Sequence, residues 1–379
     1  MRVLGISPSH DSSVAVYNNG QIEFFGKEER FTGYKRDAYP FMALEKVYEI
    51  FKTNIDHVTY SWLPNDCHFK KFKLSMAFPP HSCHHINHAA LAFYNSGFKE
   101  ALTFVVDRNG SWNEKNERES ETVFECSYPN TFKTLYKNYW SHDIPTFGIV
   151  RAYEAATTLI GQGALENGKT MGLASYGTNK KYDKLFTGHI ALHDKFEDTN
   201  NEWDSAIFKG QKDKINNEIT LSNYQFYADA AKHVQIETQK ATLCLIKKYV
   251  KETGIKNICL VGGYALNVVA NSYLIKNLPD CKFYIEPVSD DTGTSLGAAM
   301  LLYRYFTKDM NVYPMSDTFY HYYEKSKKQY GVKKSTKDLC DILNNQKIVA
   351  IFEGAPESGQ RALGHRSLLF DPRNVEGKR

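Results

Sequence analysis

The chain has 379 residues, 42% hydrophobic and 24% charged, with a formal net charge of +4 and a pI near 8.4. That length allows two or three domains, and the composition is ordinary for a soluble globular protein. The weak basicity does not argue for nucleic acid, no stretch approaches the roughly 18 apolar residues of a membrane span, and MRVLGIS has neither the basic nor the apolar region of a secretory signal.

In chain order, VLGIS (3–7) and SSVAVY (12–17) read as strands. The turn NNG (18–20) leads into QIEFFGKEER (21–30), so a β-hairpin is expected over 12–30. Helical periodicity covers 41–53, HVTYSW (57–62) reads as a strand, 88–98 as a helix, and ALTFVVD (101–107) as a buried strand ending in an acid. A helix through YEAATTLIG precedes the glycine-rich GALENGKTMGLASYG, and the polar segment 180–220 is expected to be a loop-rich insertion. A long amphipathic helix over 223–253 is closed by Gly254. NICLVGG (257–263) is strand into turn, ALNVVANSYLIKN starts a helix, KFYIEP (282–287) is a strand, DDTGTS a turn and LGAAMLLYRYF a helix. The lysine-rich segment 308–345 reads as a boundary before a new strand in KIVAIFEG (347–354). Alternating strands and helices argue for an α/β fold. Seven scattered cysteines without a CxxC argue for a reducing cytoplasm and against a disulfide frame.

Five segments hold residues suited to chemistry. GISPSHDSS (5–13) offers small hydroxyls and the pair His10-Asp11, which suit a phosphate or a general base; alone it reads as a hairpin turn. HHINH (84–88) puts His84 and His88 on one face if a helix begins near His84, with His85 pointing elsewhere. An isolated pair of this kind is more often an exposed helix start. Asp107 at a strand end and Asp291 in SDDTG change that balance, because ligands in α/β folds gather at strand C-termini. Two imidazoles and two carboxylates suit Fe(II), Mn(II) or Zn(II) better than a thiolate-bound ion. LVGGYALN (260–267) is a strand-to-helix turn in which glycines admit a phosphate to backbone N–H groups. ENGKTMGLASYG (166–177) places Lys169 among glycines, where it could reach a phosphate or be a plain surface lysine. EGAPESGQRALGHRS (353–367) carries two arginines and Ser367 in a candidate anion cradle. No G-x-S-x-G elbow, kinase set or C2H2 finger is present.

These segments, in this order, resemble the O-carbamoyltransferase family of nodulation and antibiotic-tailoring enzymes. The resemblance runs from LGISPSHDSSVAVYNNGQIEFFGKEERFTGYKRD through HHINHA, FVVD, GKTMGLASYG, YADAAKHVQ, VGGYALN and EPVSDDTGTSLGAA to EGAPESGQRALGHRSLLFDPR. It implies an ASKHA-like duplicated α/β domain over 1–340, similar to the tRNA threonylcarbamoyl-transferring enzymes, and the start of a YrdC-like domain over 346–379. It implies use of carbamoyl phosphate and ATP with magnesium, a carbamoyl-adenylate formed with release of pyrophosphate, and transfer to a hydroxyl. Position by position, His84, His88, Asp107 and Asp291 match the family's metal ligands, usually iron. Gly262, Gly263 and Asn267 match its nucleotide loop, and His10 its active-site histidine. Arg361, Arg366 and Ser367 fall in its carbamoyl-phosphate motif, and Lys35 in a motif assigned to the acceptor or phosphate region. Gln360 stands where the family usually has Pro, and His365 where it usually has Asn. Most of a YrdC-like domain would lie beyond Arg379, so either the sequence is part of a longer protein or the adenylation half is absent. The acceptor classes in view are sugars, antibiotic-like molecules and hydroxymethylated nucleotides; a homodimer is the default assembly. Two rivals are an ATP-binding protein that keeps the ASKHA cleft without turnover, and a metal-dependent hydrolase built on HHINH. The hydrolase leaves VGGYALN and RALGHRS unexplained.

Overall fold

Apolar alternation at the start of the chain builds an antiparallel meander of β1 (Arg2–Ser7), β2 (Ser13–Asn18) and β3 (Gln21–Lys27). The structure is a computed structural model and describes residues 1–62, 76–80, 82–140, 147–178, 180, 182–199, 206–215, 218–324, 331–345 and 348–373. The expected hairpin stops at Lys27, and the chain turns into α1 (Glu28–Thr32). The reason is Glu28, whose buried carboxylate accepts the Met42 and Ala43 N–H groups at 2.8 and 2.9 Å and so caps α2 (Phe41–Phe51). β4 (His57–Tyr60) lies parallel to β1, giving the sheet order β3-β2-β1-β4.

α3 (His84–Asn95) begins at His84, four residues before the helix expected from periodicity. Its first turn is polar and its apolar stripe starts at Ala89, so the hydrophobic pattern misses the true start. β5 (Glu100–Val106) is followed by β6 (Arg118–Ser127) and β7 (Thr131–Trp140), a ten-residue antiparallel pair that the sequence reading lacks. Its alternation is masked because Glu119 and Glu121 are buried. α4 (Ile149–Leu159) precedes α5 (Asn167–Ala174), so the glycine-rich segment is partly helical. The Thr157 and Thr170 hydroxyls, 2.7 Å apart, dock α5 on α4.

Among its described residues, segment 180–220 holds short ladders, β8 (Phe186–Thr187) with β9 (Ile190–Ala191) and β10 (Phe196–Asp198) with β11 (Ala206–Phe208), and 3-10 turns at His193–Lys195 and Lys212–Lys214. α6 (Tyr224–Thr253) ends at Gly254, whose φ of 77° is the left-handed helix stop the sequence led us to expect. β12 (Asn257–Val261), α7 (Val268–Asn277), β13 (Lys282–Ile285) and α8 (Thr294–Thr307) complete the second half. α9 (Thr336–Asn344) and the antiparallel pair β14 (Val349–Phe352) and β15 (Arg366–Leu369) follow.

The second sheet runs β13-β12-β5-β6-β7. β5-β6-β7 repeats the β1-β2-β3 meander, and β12 lies parallel to β5 as β4 does to β1. The fold is thus two related α/β halves. Between their sheets, α8 packs on β1 and β2 while α3 packs on β5 and β12, and the two helices pack on each other. Glycines set that spacing: a Cβ on Gly5 would lie 1.9 Å from Ser295 O, and one on Gly297 1.9 Å from Asn87 O. The segment after α8, expected as a boundary, is instead a packed strap. Met315 N–H donates to Asn95 O at 2.9 Å, Tyr322 N–H to Phe25 O at 2.7 Å, and the Tyr320 and Tyr322 rings meet Phe25 and Phe24. Residues 356–359 are buried against the first 320, with Ser358 N–H donating to Thr318 O at 2.7 Å. Among the described residues no helix is long and apolar enough to cross a membrane.

Candidate metal centre and cleft

One turn of α3 brings His84 and His88 together, with their Nε2 atoms 3.1 Å apart. Asp107 follows the last residue of β5 and faces them, its Oδ2 3.6 Å from His84 Nε2. Asp291 comes from the turn before α8, with Oδ1 3.3 Å from His84 Nε2 and 3.5 Å from His88 Nε2. The Ser7 and Thr294 hydroxyls donate to the Asp291 carbonyl at 3.2 and 2.6 Å and hold that turn against β1. One ligand atom from each of the four residues lies within 4.8 Å of all the others.

The imidazoles and carboxylates of this cluster stabilise one another's charges. Burial opposes a charge on His84, but Asp291 and Asp107 outweigh it and push the imidazole up to about 10. Burial likewise opposes ionised Asp107 and Asp291, yet the facing imidazoles hold both carboxyls below their usual range. His85 turns away as expected: burial pushes it down to about 4, and its Nδ1 meets Thr122 Oγ1 at 2.7 Å.

His84, Asp107 and Asp291 line a cleft of about 910 Å³, while the fully buried His88 is not part of its lining. His10, in the β1–β2 loop, lines the same cleft with Nδ1 3.0 Å from Asp11 Oδ2. Burial lowers its basicity, but the Asp11 hydrogen bond and the charges of Asp291 and Asp107 raise it to about 9. Lys35 lines the cleft as an exposed rim residue. Lys169 lines it from α5, with Nζ 3.0 Å from Glu166 and 2.6 Å from Gln162.

The glycine turn divides its labour. Gly263 lines the cleft and donates its N–H to Asp107 Oδ1 at 3.0 Å. Gly262 lies behind the lining with φ of 90°, and a Cβ there would lie 2.5 Å from Val106 O, so its glycine lets β12 turn beside β5. Asn267 lines the cleft and also caps α7, its Oδ1 accepting from Ala270 N–H at 3.0 Å.

Of the three residues expected to form an anion cradle, Arg361 alone lines the cleft, donating to Leu266 O at 2.5 Å. Arg366 is held by Glu357, Nε to Oε2 at 2.7 Å, and Ser367 Oγ accepts from Gly364 N–H at 3.1 Å; both lie outside the cleft. The unusual Gln360 donates to Asp290, the neighbour of Asp291 in the four-residue cluster. His365 stacks on Phe319, ring centroids 3.6 Å apart. Lys27, buried with Nζ 3.8 Å from Asp290 Oδ2, and the cleft residues Arg108, Glu154, Trp62 and Trp112 carry no sequence signal, since each depends on chain segments far apart.

The family described as carbamoyltransferase N-terminus matches residues 49–300, and that described as carbamoyltransferase C-terminus matches residues 340–379. The chain belongs to the carbamoyltransferase family. Within that comparison it is similar to an uncharacterized protein, sll1178, of Synechocystis, 26% identical over 98% of this chain and 71% of the relative. It is also similar to nodulation protein NolO of Bradyrhizobium diazoefficiens, 25% identical over 78% of this chain and 54% of the relative. Among solved structures, HypF of T. kodakarensis superposes with a TM-score of 0.50 at 13% identity, over 82% of this chain and 49% of that one. That likeness concerns the fold, which is the duplicated ASKHA-like α/β architecture of the two sheets. The chain spans about half the length of NolO and of HypF.

Proposed function

We propose that this carbamoyltransferase-family chain is an O-carbamoyltransferase whose transfer site is the cleft beside His84, His88, Asp107 and Asp291. The observation that carries the reading is the convergence of those four residues, His10 and the Gly263–Asn267 turn on one cavity, in a chain matched by both parts of the family. Water adds to the carbamoyl carbon of carbamoyl phosphate and inorganic phosphate leaves, giving carbamate; a carbamate oxygen then bonds to the α-phosphorus of magnesium-bound ATP, the bond to the β-phosphate breaks, and carbamoyl-adenylate forms with release of pyrophosphate. An acceptor hydroxyl oxygen then bonds to the carbamoyl carbon, the bond to the AMP phosphate oxygen breaks, and AMP leaves. The acceptor is a small molecule or a nucleotide: a sugar, an antibiotic-like molecule or a hydroxymethylated nucleotide.

Residues 1–340 form the transfer domain and 346–379 begin a YrdC-like domain. Gly263 and Asn267 face the nucleotide, and Gly262 shapes their turn. Lys35 and Lys169 at the rim meet phosphate or acceptor, and Arg361 brings the carbamoyl-phosphate motif to the cleft, with Arg366 and Ser367 behind it. The six described cysteines are all free, in keeping with a reducing cytoplasm.

Two carboxylates and two imidazoles fit a divalent cation, Fe(II) on the family resemblance. Such an ion supplies Lewis acidity, or a hold on the phosphate, at the cleft. Without it, Asp291 and Asp107 push the His84 imidazole up to about 10, which favours its protonated form at neutral pH. Binding must therefore expel that proton, and affinity must rise with pH. Mn(II) titrated by calorimetry in buffers of different ionisation enthalpy is expected to release about one proton and bind about tenfold more tightly at pH 7 than at pH 6. An affinity independent of pH would contradict the assignment.

His10 takes the acceptor proton. Its raised basicity derives partly from Asp291 and Asp107, so a cation on those carboxylates offsets that pull and returns the imidazole toward neutrality. His10→Ala is expected to slow transfer by about 10²-fold or more at saturating acceptor while pyrophosphate release continues; transfer at the wild-type rate would remove the base role. The function itself is tested by pyrophosphate release from ATP. Release only with carbamoyl phosphate supports the reading and separates it from a hydrolase. Nucleotide binding without release would favour an ASKHA-like protein without turnover.

A further inference from the structure

The segment between β5 and β6 is a built arm. Two residues after Asp107, Asn109 Oδ1 accepts from Trp140 Nε1 at 2.9 Å. Gly110 N–H donates to Glu119 O at 2.8 Å, and Glu119 N–H returns to Ser111 O at 3.1 Å. Asn113 closes the tip, accepting the Lys115 and Glu117 N–H groups on its Oδ1, both at 2.9 Å. Ser111 Oγ accepts the His84 N–H at 2.9 Å, which ties the arm to the start of α3.

This arm holds Trp112 44% exposed at the cleft, with the Arg118 guanidinium 4.2 Å from its ring centroid. Trp62, 45% exposed, lines the same cleft. The third described tryptophan, Trp140, is buried. An indole held open to a cleft by a rigid arm adds nothing to the core; it offers a flat apolar face for a ring to cover. The nucleotide turn, Gly263–Asn267, follows β12, which pairs with β5 on the side opposite β6, so the turn and the arm flank β5 on different sides. Arg118, Asn109 and Asp11 line the same cleft as the indoles, and such polar groups suit a ligand rich in hydroxyls.

We propose that Trp112, with Trp62, is the acceptor platform: a hydroxylated ring stacks its apolar face on the indole that Arg118 backs, and this stacking selects cyclic over open-chain acceptors. The identity of the ring as acceptor rests on the carbamoyltransferase reading; the platform is judged by binding alone, so a failure of pyrophosphate release would sink that reading and leave this result standing.

The test is saturation-transfer NMR on the full chain with scyllo-inositol and D-sorbitol, which share six hydroxyls and differ by ring closure. Scyllo-inositol is expected to receive saturation from the protein and sorbitol not, with the inositol signal unchanged by saturating AMP-PNP. Trp112→Ala is expected to lower that signal at least tenfold and Trp112→Phe to retain most of it, Mn(II) uptake on the same samples reporting that each variant is folded. Equal signals from the two polyols, displacement by AMP-PNP, no inositol signal, or a Trp112→Ala signal at the wild-type level would each overturn the platform.

Discussion

Gly297→Ala is expected to destabilise the protein by about 3 kcal/mol, the upper end of the cost of overpacking a core. The added methyl would sit 1.9 Å from the carbonyl oxygen of Asn87 and 2.9 Å from its carbonyl carbon. Those are backbone atoms of α3 and cannot rotate aside, so α8 must move off α3. The two helices position three of the four clustered residues, His84 and His88 on α3 and Asp291 in the turn that leads into α8. The same variant is therefore expected to weaken Mn(II) binding although residue 297 touches no ligand atom. Gly172→Ala is the control: it is exposed on α5, meets nothing within 4 Å, and is expected to be neutral or to stabilise by up to about 1 kcal/mol. Urea unfolding of the three proteins measures both effects, and a Gly297→Ala midpoint equal to wild type would contradict the close packing of α3 on α8.

The double change His84→Ala/His88→Ala is expected to weaken divalent-metal binding by at least about 10²-fold, since loss of partners one layer out already costs about 10- to 100-fold. Elemental analysis of protein purified anaerobically with iron supplied should give near one metal per chain for wild type and a background value for the variant. Without the imidazoles, the closely spaced Asp107 and Asp291 carboxylates repel each other with only His10 and the Gly263 N–H left to offset them, so the variant should also gain stability as pH falls and they protonate. Metal retained by the variant would place the ion elsewhere.

Much of this site was legible in the sequence, and the reasons are local. His84 and His88 are one helical turn apart, and Asp107 ends an apolar run that had to be a buried strand. Asp291 announced itself by SDDTG ahead of a helix. Gly254 marked the end of α6 for the same local reason. Where burial and polarity part company, the pattern fails. The polar first turn of α3 hides its start, and buried Glu119 and Glu121 hide β6. Glu28 reads as strand but caps α2. The cradle of Arg361, Arg366 and Ser367 reads as one motif, yet the hairpin of β14 and β15 turns the last two toward Glu357 and Gly364. Lys27, Gln360 and Trp112 gain meaning only when distant segments meet, and no window of sequence contains that information.

The most direct measurement follows the carbamoyl group itself. Protein loaded with divalent metal is given [14C]carbamoyl phosphate, ATP and magnesium with a panel of sugars, aminoglycosides and 5-hydroxymethyl nucleotides, and acid-stable label is separated from bicarbonate. The account predicts label in an O-carbamate of at least one acceptor, dependent on ATP and lost in His84→Ala/His88→Ala. Label that forms equally without ATP or in that variant, or no label from any acceptor, would contradict it.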